Sequence, residues 1–223
     1  MSDAETARAQ FESEGRVWLR GALSEADLAE LSELSASEGR PGQRVGDKHP
    51  LFDWIRQTSF SARLAAIWPG MSPVRIVSFD KRPAINWGVP WHQDRVIAVD
   101  RRVEMDGYSN WSKKADAWHC EPPVEILRKM LFVRVHLDAS TAENGAMEIA
   151  AGSHREGLIS ADKAKDVAGR YATELTIAEP GDVLVLAMLT LHRSLPGTAD
   201  ASRRALRIDY SLPVLPAQLG WAA

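Results

Sequence analysis

The hydrophobic and polar positions follow two periods, and the change falls near residue 74. Before it the spacing is helical. Ser24 stands at an N-cap position with acidic Glu25 and Asp27 in the first turn, and Leu28, Leu31 and Leu34 recur on one face up to a stop at Gly39. Ahead of that helix, Phe11 to Leu23 is a short amphipathic lead-in whose Val17, Trp18 and Leu19 form a small apolar strand. Arg40 to Pro50 is rich in turn residues. Leu51 to Trp68 predicts a second helix, with Trp54, Ile55, Leu64, Ala65 and Ile67 available for burial and Pro69-Gly70 as its end.

From Val74 the period is two. Val74, Ile76, Ser78 and Asp80 alternate with Arg75, Val77, Phe79 and Lys81, and the strand ends at Pro83. Further strands are predicted over Met130–Asp138, Ala146–Ala150, Glu174–Ala178, Val183–Met188 and Ala205–Leu212. They are separated by turn clusters at Glu143-Asn144-Gly145, Ala151-Gly152-Ser153-His154, Glu179-Pro180-Gly181-Asp182 and Pro196-Gly197-Thr198. Between the first strand and the rest lies a long connection, Arg95 to Lys129, with a short helix predicted at Val124–Met130. Connections of that length are usually functional, and it reads as a lid or substrate wall.

Many short strands with regular turns, preceded by helices, predict a mainly β sandwich or jelly-roll barrel with helices packed outside it, not alternating βα units. The 223 residues fit one domain: a helical lead-in (1–70), a barrel core (74–94 and 130–212) and an insertion at about 95–129. A hydrophobic fraction of 45% and a net charge of -3 describe a soluble chain with an ample core and no electrostatic reason to bind nucleic acid or an anionic membrane. Cys120 is the single cysteine, so an intrachain disulfide and a cysteine-rich zinc site are both excluded. The polar N-terminus has no apolar signal core, and the most apolar run, Val183 to Leu191, is too short to span a bilayer. A cytoplasmic monomer or homodimer acting on a small molecule is the expectation.

The candidate chemistry centres on Trp91-His92-Gln93-Asp94. On extended backbone His92 and Asp94 point the same way, so an imidazole and a carboxylate can take adjacent positions on one metal ion. A third ligand is offered late in the chain by His192. Two neutral nitrogens and one carboxylate on one face of an octahedron are the donor set of non-haem Fe(II) oxygenases.

These residues occur in a longer ordered set. His92-Gln93-Asp94, Leu137-Asp138, Glu143-Asn144-Gly145-Ala146, Gly152-Ser153-His154, Gly181-Asp182 and His192 resemble the phytanoyl-CoA dioxygenase-like family, from about Phe11 to about Leu212. The resemblance implies a double-stranded β-helix (a jelly-roll, cupin-like barrel) and an oxygenase dependent on Fe(II), 2-oxoglutarate and O2. It also implies that His92, Asp94 and His192 are the iron ligands. Arg203, eleven residues after His192, stands where the family carries the arginine that grips the distal carboxylate of 2-oxoglutarate. That job suits a fixed fork of N–H donors. A register shift of one residue would hand the role to Arg204, which otherwise faces solvent. Ser194 matches a hydroxyl position on the same cosubstrate.

Arg134 lies where the family's pocket often has an aromatic, and is either a cosubstrate contact or half of an ion pair at the barrel mouth. Lys81 stands where the family often has Lys-x-Pro, and either orients a ligand or ends a strand. Trp87 and Trp91 flank the motif as pocket walls or core. His154 is read as a turn cap, His136 as a satisfied sheet residue, His49 as a loop residue and His119 as a lid residue without ligand spacing. Asp94 favours hydroxylation, or desaturation or ring formation, because related halogenating enzymes have a small residue there. The competing readings are a cupin-like metal-dependent hydrolase or isomerase, which needs no Arg203, and a non-catalytic binding barrel.

Overall fold

The computed structural model describes residues 2–35, 42–46, 48–84, 86–114, 117–198, 202–212, 214–216 and 218–222. In chain order its elements are α1 (Asp3–Glu14), β1 (Arg16–Leu19), α2 (Glu25–Leu34), β2 (Gly42–Val45), α3 (Pro50–Gln57), α4 (Ser59–Ile67), β3 (Ser72–Lys81), β4 (Val89–His92), β5 (Ile97–Val99), β6 (Ser109–Lys114), β7 (Ala117–Glu121), α5 (Val124–Leu127), β8 (Leu131–His136), β9 (Met147–Ala150), α6 (Ala164–Ala168), β10 (Thr173–Leu175), β11 (Val183–Ala187), β12 (His192–Ser194) and β13 (Arg203–Ser211). A six-stranded sheet, ordered β1-β11-β8-β13-β3-β2, and a four-stranded sheet, β10-β9-β12-β4, form the barrel. All their pairings are antiparallel. The fold is the mainly β jelly roll with N-terminal helices that the pattern predicts.

Alternation along the central strands separates two cores. Leu131, Val133 and Val135 of β8, Val183 and Val185 of β11, and Leu206 and Ile208 of β13 pack against Leu51, Phe52 and Ile55 of α3 and Phe60, Leu64 and Ile67 of α4. The intervening residues, among them Phe132, Leu184 and Leu186, turn into the barrel with Met147 and Ile149. Every residue of β8 and β11 is buried, so both faces of these strands are covered. Each fully buried large apolar side chain contributes about 1.5–3 kcal/mol, which fixes the register of the strands that carry polar residues inward.

The structure departs from the pattern in places that have local causes. The predicted helix over Leu51–Trp68 is two helices, because Thr58 takes an extended ψ of 155°. Its hydroxyl donates to Ile55 O at 2.9 Å and accepts from Ser61 N, which ends α3 and caps α4. The break turns Phe60 inward, leaves Ala65 exposed and leaves Trp54 half-buried. Helix α1 precedes the predicted lead-in and is held by a Ser2–Glu5 capping box. The small strand expected at Val17-Trp18-Leu19 forms as β1, one edge of the six-stranded sheet, whereas the other edge, β2, lies within the stretch read as loop. The Ser24 cap is a capping box with Asp27, and the expected helix stop at Gly39 lies outside the described residues. The connection after Asp94 builds its own sheet, β5-β7-β6, followed by α5. No helix of the described residues is long and apolar enough to cross a membrane.

Candidate active site

Strands β4 and β12 pair antiparallel with His92 directly opposite His192, and the two ring centres lie 4.3 Å apart. Each Nδ1 faces a backbone carbonyl two residues back, His92 to Pro90 O at 2.8 Å and His192 to Thr190 O at 2.9 Å. A carbonyl only accepts, so each Nδ1 carries the proton and each Nε2 is left with a lone pair. Asp94 lies just beyond β4 on the same side. Its Oδ2 is 3.2 Å from His192 Nε2, and one candidate ligand atom from each of the three residues lies within 4.8 Å of the others. Gln93 is turned away: Nε2 donates to Gly157 O and Leu189 O, and Oε1 accepts from Ile159 N, each at 2.8 Å. The middle residue thus ties the motif to the loop before His192 and aims its neighbours inward.

The second oxygen of Asp94 is held by Arg207, whose Nη1 lies 2.6 Å from Oδ1. Burial alone would raise the Asp94 carboxyl, but the Arg207 guanidinium outweighs it and holds the group well below the ordinary carboxylate range. Oδ2 is buried and receives no hydrogen bond. An unprotonated Nε2 facing an unsatisfied carboxylate oxygen is costly unless a cation sits between them. The donor set fits a divalent transition metal.

A cavity of about 100 Å³ opens beside the triad, lined by His92, Asp94 and His192, by Arg134, Arg203, Arg207 and Ser194, and by apolar walls that include Phe79, Trp87 and Phe132. Arg203 is 5% exposed; its Nε and Nη1, and Nε of Arg134, are buried without a hydrogen-bond partner. Neither guanidinium has a carboxylate within ion-pair distance among the described residues. Burial lowers both arginines, Arg203 to about 10, and Arg203 and Arg207 push Arg134 down further. Burial, then Arg203 and Arg134, brings Lys81 to about 8. Lys81 Nζ donates to Leu195 O at 2.6 Å, and its Cα pairs with that of Arg203 across β3 and β13. Several cations crowd a cavity whose one acid among the described residues, Asp94, is already engaged, and a dicarboxylate anion fits that arrangement. Arg204 points away and forms a bidentate pair with Asp138 at 2.9 and 2.7 Å.

Two comparisons with known proteins bear on this constellation. A sequence profile of the phytanoyl-CoA dioxygenase family matches residues 11–205. The dioxygenase lolE1 of Epichloe uncinata is 35% identical over 199 residues, covering 83% of this chain and 70% of that protein.

The chain belongs to the phytanoyl-CoA dioxygenase family.

As a member it is a 2-oxoglutarate-dependent non-haem iron dioxygenase, an oxidoreductase that uses Fe(II), 2-oxoglutarate and O2. The hydrolase, isomerase and binding-barrel readings fall with that assignment. A second relative, the methylphosphonate hydroxylase of Gimesia maris, is 30% identical over 94 residues; the match takes in 40% of this chain and only 36% of that protein. Among solved structures, EctD from S. alaskensis with 2-oxoglutarate and 5-hydroxyectoine superposes with a TM-score of 0.69 at 17% identity, over 96% of this chain and 77% of that one. At that identity the likeness speaks for the fold alone.

Several of this dioxygenase's side chains do other work than their sequence context predicts. Trp87 lines the cavity, whereas Trp91 packs with Ala164, Val167 and Leu191 on the outside of the smaller sheet. The turn after Ala151 is capped by Ser153, not His154. Ser153 Oγ donates to Ala150 O at 2.7 Å and accepts from Leu191 N at 2.9 Å, beside His192. His154 instead reaches Glu12 O at the end of α1. His136 is only half satisfied: Nδ1 meets Asp182 O at 3.2 Å and Nε2 is buried without a partner. His49 caps α3. Arg134 forms no ion pair among the described residues, so that alternative is set aside. No described residue of 95–129 lines the cavity. Arg207 is the residue that sequence reasoning passed over. The signal was present: positions 203, 205 and 207 share one face of a strand.

Proposed function

We propose that His92, Asp94 and His192 hold the Fe(II), that Arg203 with Ser194 and Arg134 holds the distal carboxylate of 2-oxoglutarate, and that the enzyme hydroxylates an unactivated C–H bond of a small organic substrate, releasing succinate and CO2. One observation carries the reading. Two imidazole lone pairs and an unsatisfied carboxylate oxygen converge beside a cavity in which the buried guanidiniums of Arg134 and Arg203 have no acid of their own.

When bound, iron and 2-oxoglutarate together turn O2 into an oxidant able to abstract hydrogen from carbon. The chain does the rest. The Pro90 and Thr190 carbonyls fix the tautomer and aim of the two imidazoles. Arg203 offers its fork to the dicarboxylate, and Arg134 adds a second guanidinium that the family's usual aromatic would lack. Lys81, engaged with Leu195 O, braces the loop behind Ser194 and adds positive potential. Phe79, Trp87 and Phe132 keep water from the reacting side. Lead-in, barrel and insertion act as one catalytic domain. The Asp94 carboxylate supports hydrogen abstraction without halogenation, and hydroxylation rather than desaturation or ring closure is supported by a relative named as a hydroxylase.

Anaerobic Fe(II) and 2-oxoglutarate should produce a weak visible charge-transfer band. Asp94→Ala should abolish both the band and succinate release. A wild-type protein that releases succinate without transferring an atom of labelled O2 to any product other than succinate, across a screen of small acids and amines, would refute the hydroxylase reading.

A further inference from the structure

Four charged side chains form an unbroken line from the edge of the barrel interior to the metal triad. Arg75 on β3 bonds Asp209 Oδ2 at 2.6 Å through both Nε and Nη2. Asp209 Oδ1 accepts from Arg207 Nε at 2.7 Å. Arg207 Nη1 ends the line on Asp94 Oδ1 at 2.6 Å. Arg207 and Asp209 have side chains only 8% and 1% exposed, and the Arg207 guanidinium stacks on Phe132 with its carbon 4.6 Å from the ring centre. A guanidinium pinned by a carboxylate on one side and an aromatic face below has little freedom, so the position of its outer nitrogen is fixed by packing.

From this geometry we infer that Arg207 is a positioning residue. It occupies Oδ1 of Asp94 so that only Oδ2 faces the two imidazoles, and Asp209 and Arg75 hold it there. The inference rests on the proposed ligand triad. An aspartate free to turn both oxygens toward a metal would take up a position that the chelating cosubstrate needs. One already spanned by Arg207 presents a single donor. The line therefore protects the open face of the site, and its effect should fall on cosubstrate binding more than on metal binding.

The alternative is that Arg207 simply attracts the cosubstrate by its charge. The two accounts differ in sign at Asp209. Asp209→Asn removes a negative charge near the cavity; direct attraction then predicts tighter 2-oxoglutarate binding, whereas a loosened Arg207 predicts weaker binding. The experiment is anaerobic calorimetry of the full chain with Co(II), then with 2-oxoglutarate, alongside the Fe(II) charge-transfer band.

Arg207→Gln should weaken 2-oxoglutarate at least tenfold and displace the band, with Co(II) affinity within threefold of wild type. Asp209→Asn should weaken it several-fold. Arg75→Gln, the outermost and mildest change, should shift it in the same direction by less, and it keeps the test open if Asp209→Asn does not fold. Tighter or unchanged 2-oxoglutarate binding in Asp209→Asn and Arg75→Gln overturns the inference. Failure of the triad assignment looks different: Co(II) affinity would then survive His192→Ala unchanged.

Discussion

At the scale of single residues, the site is governed by which buried charges have partners. Arg203 and Arg204 are neighbours with opposite fates. One is buried with two unpartnered nitrogens, the other half-exposed and paired with Asp138. A hydrogen bond to a charged group contributes about 1.5–3 kcal/mol, so Arg203→Ala should raise the 2-oxoglutarate requirement by about ten- to a hundredfold while metal affinity is kept. Arg204→Ala should leave that requirement within about twofold. Steady-state succinate release against 2-oxoglutarate concentration measures both, and equal effects from the two variants would refute the assigned roles. Asp182 is a second carboxylate whose work is visible only in space. It receives Gly21 N at 2.8 Å, Glu179 N at 3.0 Å and Arg20 at 2.7 Å, pinning β1 to the turn before β11.

At the scale of elements, turns set the active strands in register. The Glu143-Asn144-Gly145 turn closes through Asn144, which receives Thr141 N at 2.9 Å and donates to Ala139 O at 2.8 Å. Gly145 then adopts a φ of 74°, and a Cβ there would lie 2.5 Å from both Leu195 O and Lys81 Nζ. Gly145→Ala should therefore both strain the backbone, by about 1 kcal/mol or more, and push away the loop that follows Ser194. Lower thermal stability together with a raised 2-oxoglutarate requirement is the expected result; a wild-type melting temperature would show that the turn yields freely. The same logic explains the split helix. Thr58 is a single residue, yet its hydroxyl caps one helix and terminates another, and the core receives Phe60 in consequence.

At the scale of the whole molecule, buried neutral histidines make stability depend on acidity. His136 is fully buried, and burial, followed by Arg134, lowers it from the usual 6.5 to about 3. His119 is lowered to about 4 by burial and Arg44. Below pH 6.5 the unfolded chain takes up protons that the native state refuses, so native stability falls as pH drops from about 6.5 toward 4 and 3. The slope is at most about 1.4 kcal/mol per pH unit for each histidine. Urea unfolding between pH 7 and 4 should show this decline, and His136→Gln should flatten it. An unchanged slope in that variant would mean that His136 is not held neutral. The Asp94 carboxyl, depressed by Arg207, adds a further loss only at lower pH.

What the chain states locally, it states clearly. Period two from Val74 onward and the paired His92 and Asp94 are readable because strand alternation and short spacings need no knowledge of distant partners, whereas the arginine eleven residues beyond His192 is readable only through the resemblance to the family. Tertiary structure decided whatever depends on pairing across the fold. It set Arg203, not Arg204, into the cavity by the register of β13 on β3 and β8, broke the long helix at Thr58, and made β1 and β2 into sheet edges. It also joined Arg75, Asp209, Arg207 and Asp94 into one line of charge. Arg75 and Asp94 are far in sequence from the Arg207–Asp209 pair of β13, and an ion pair between strands leaves no periodicity in either strand. Only closure of the barrel brings the partners within reach.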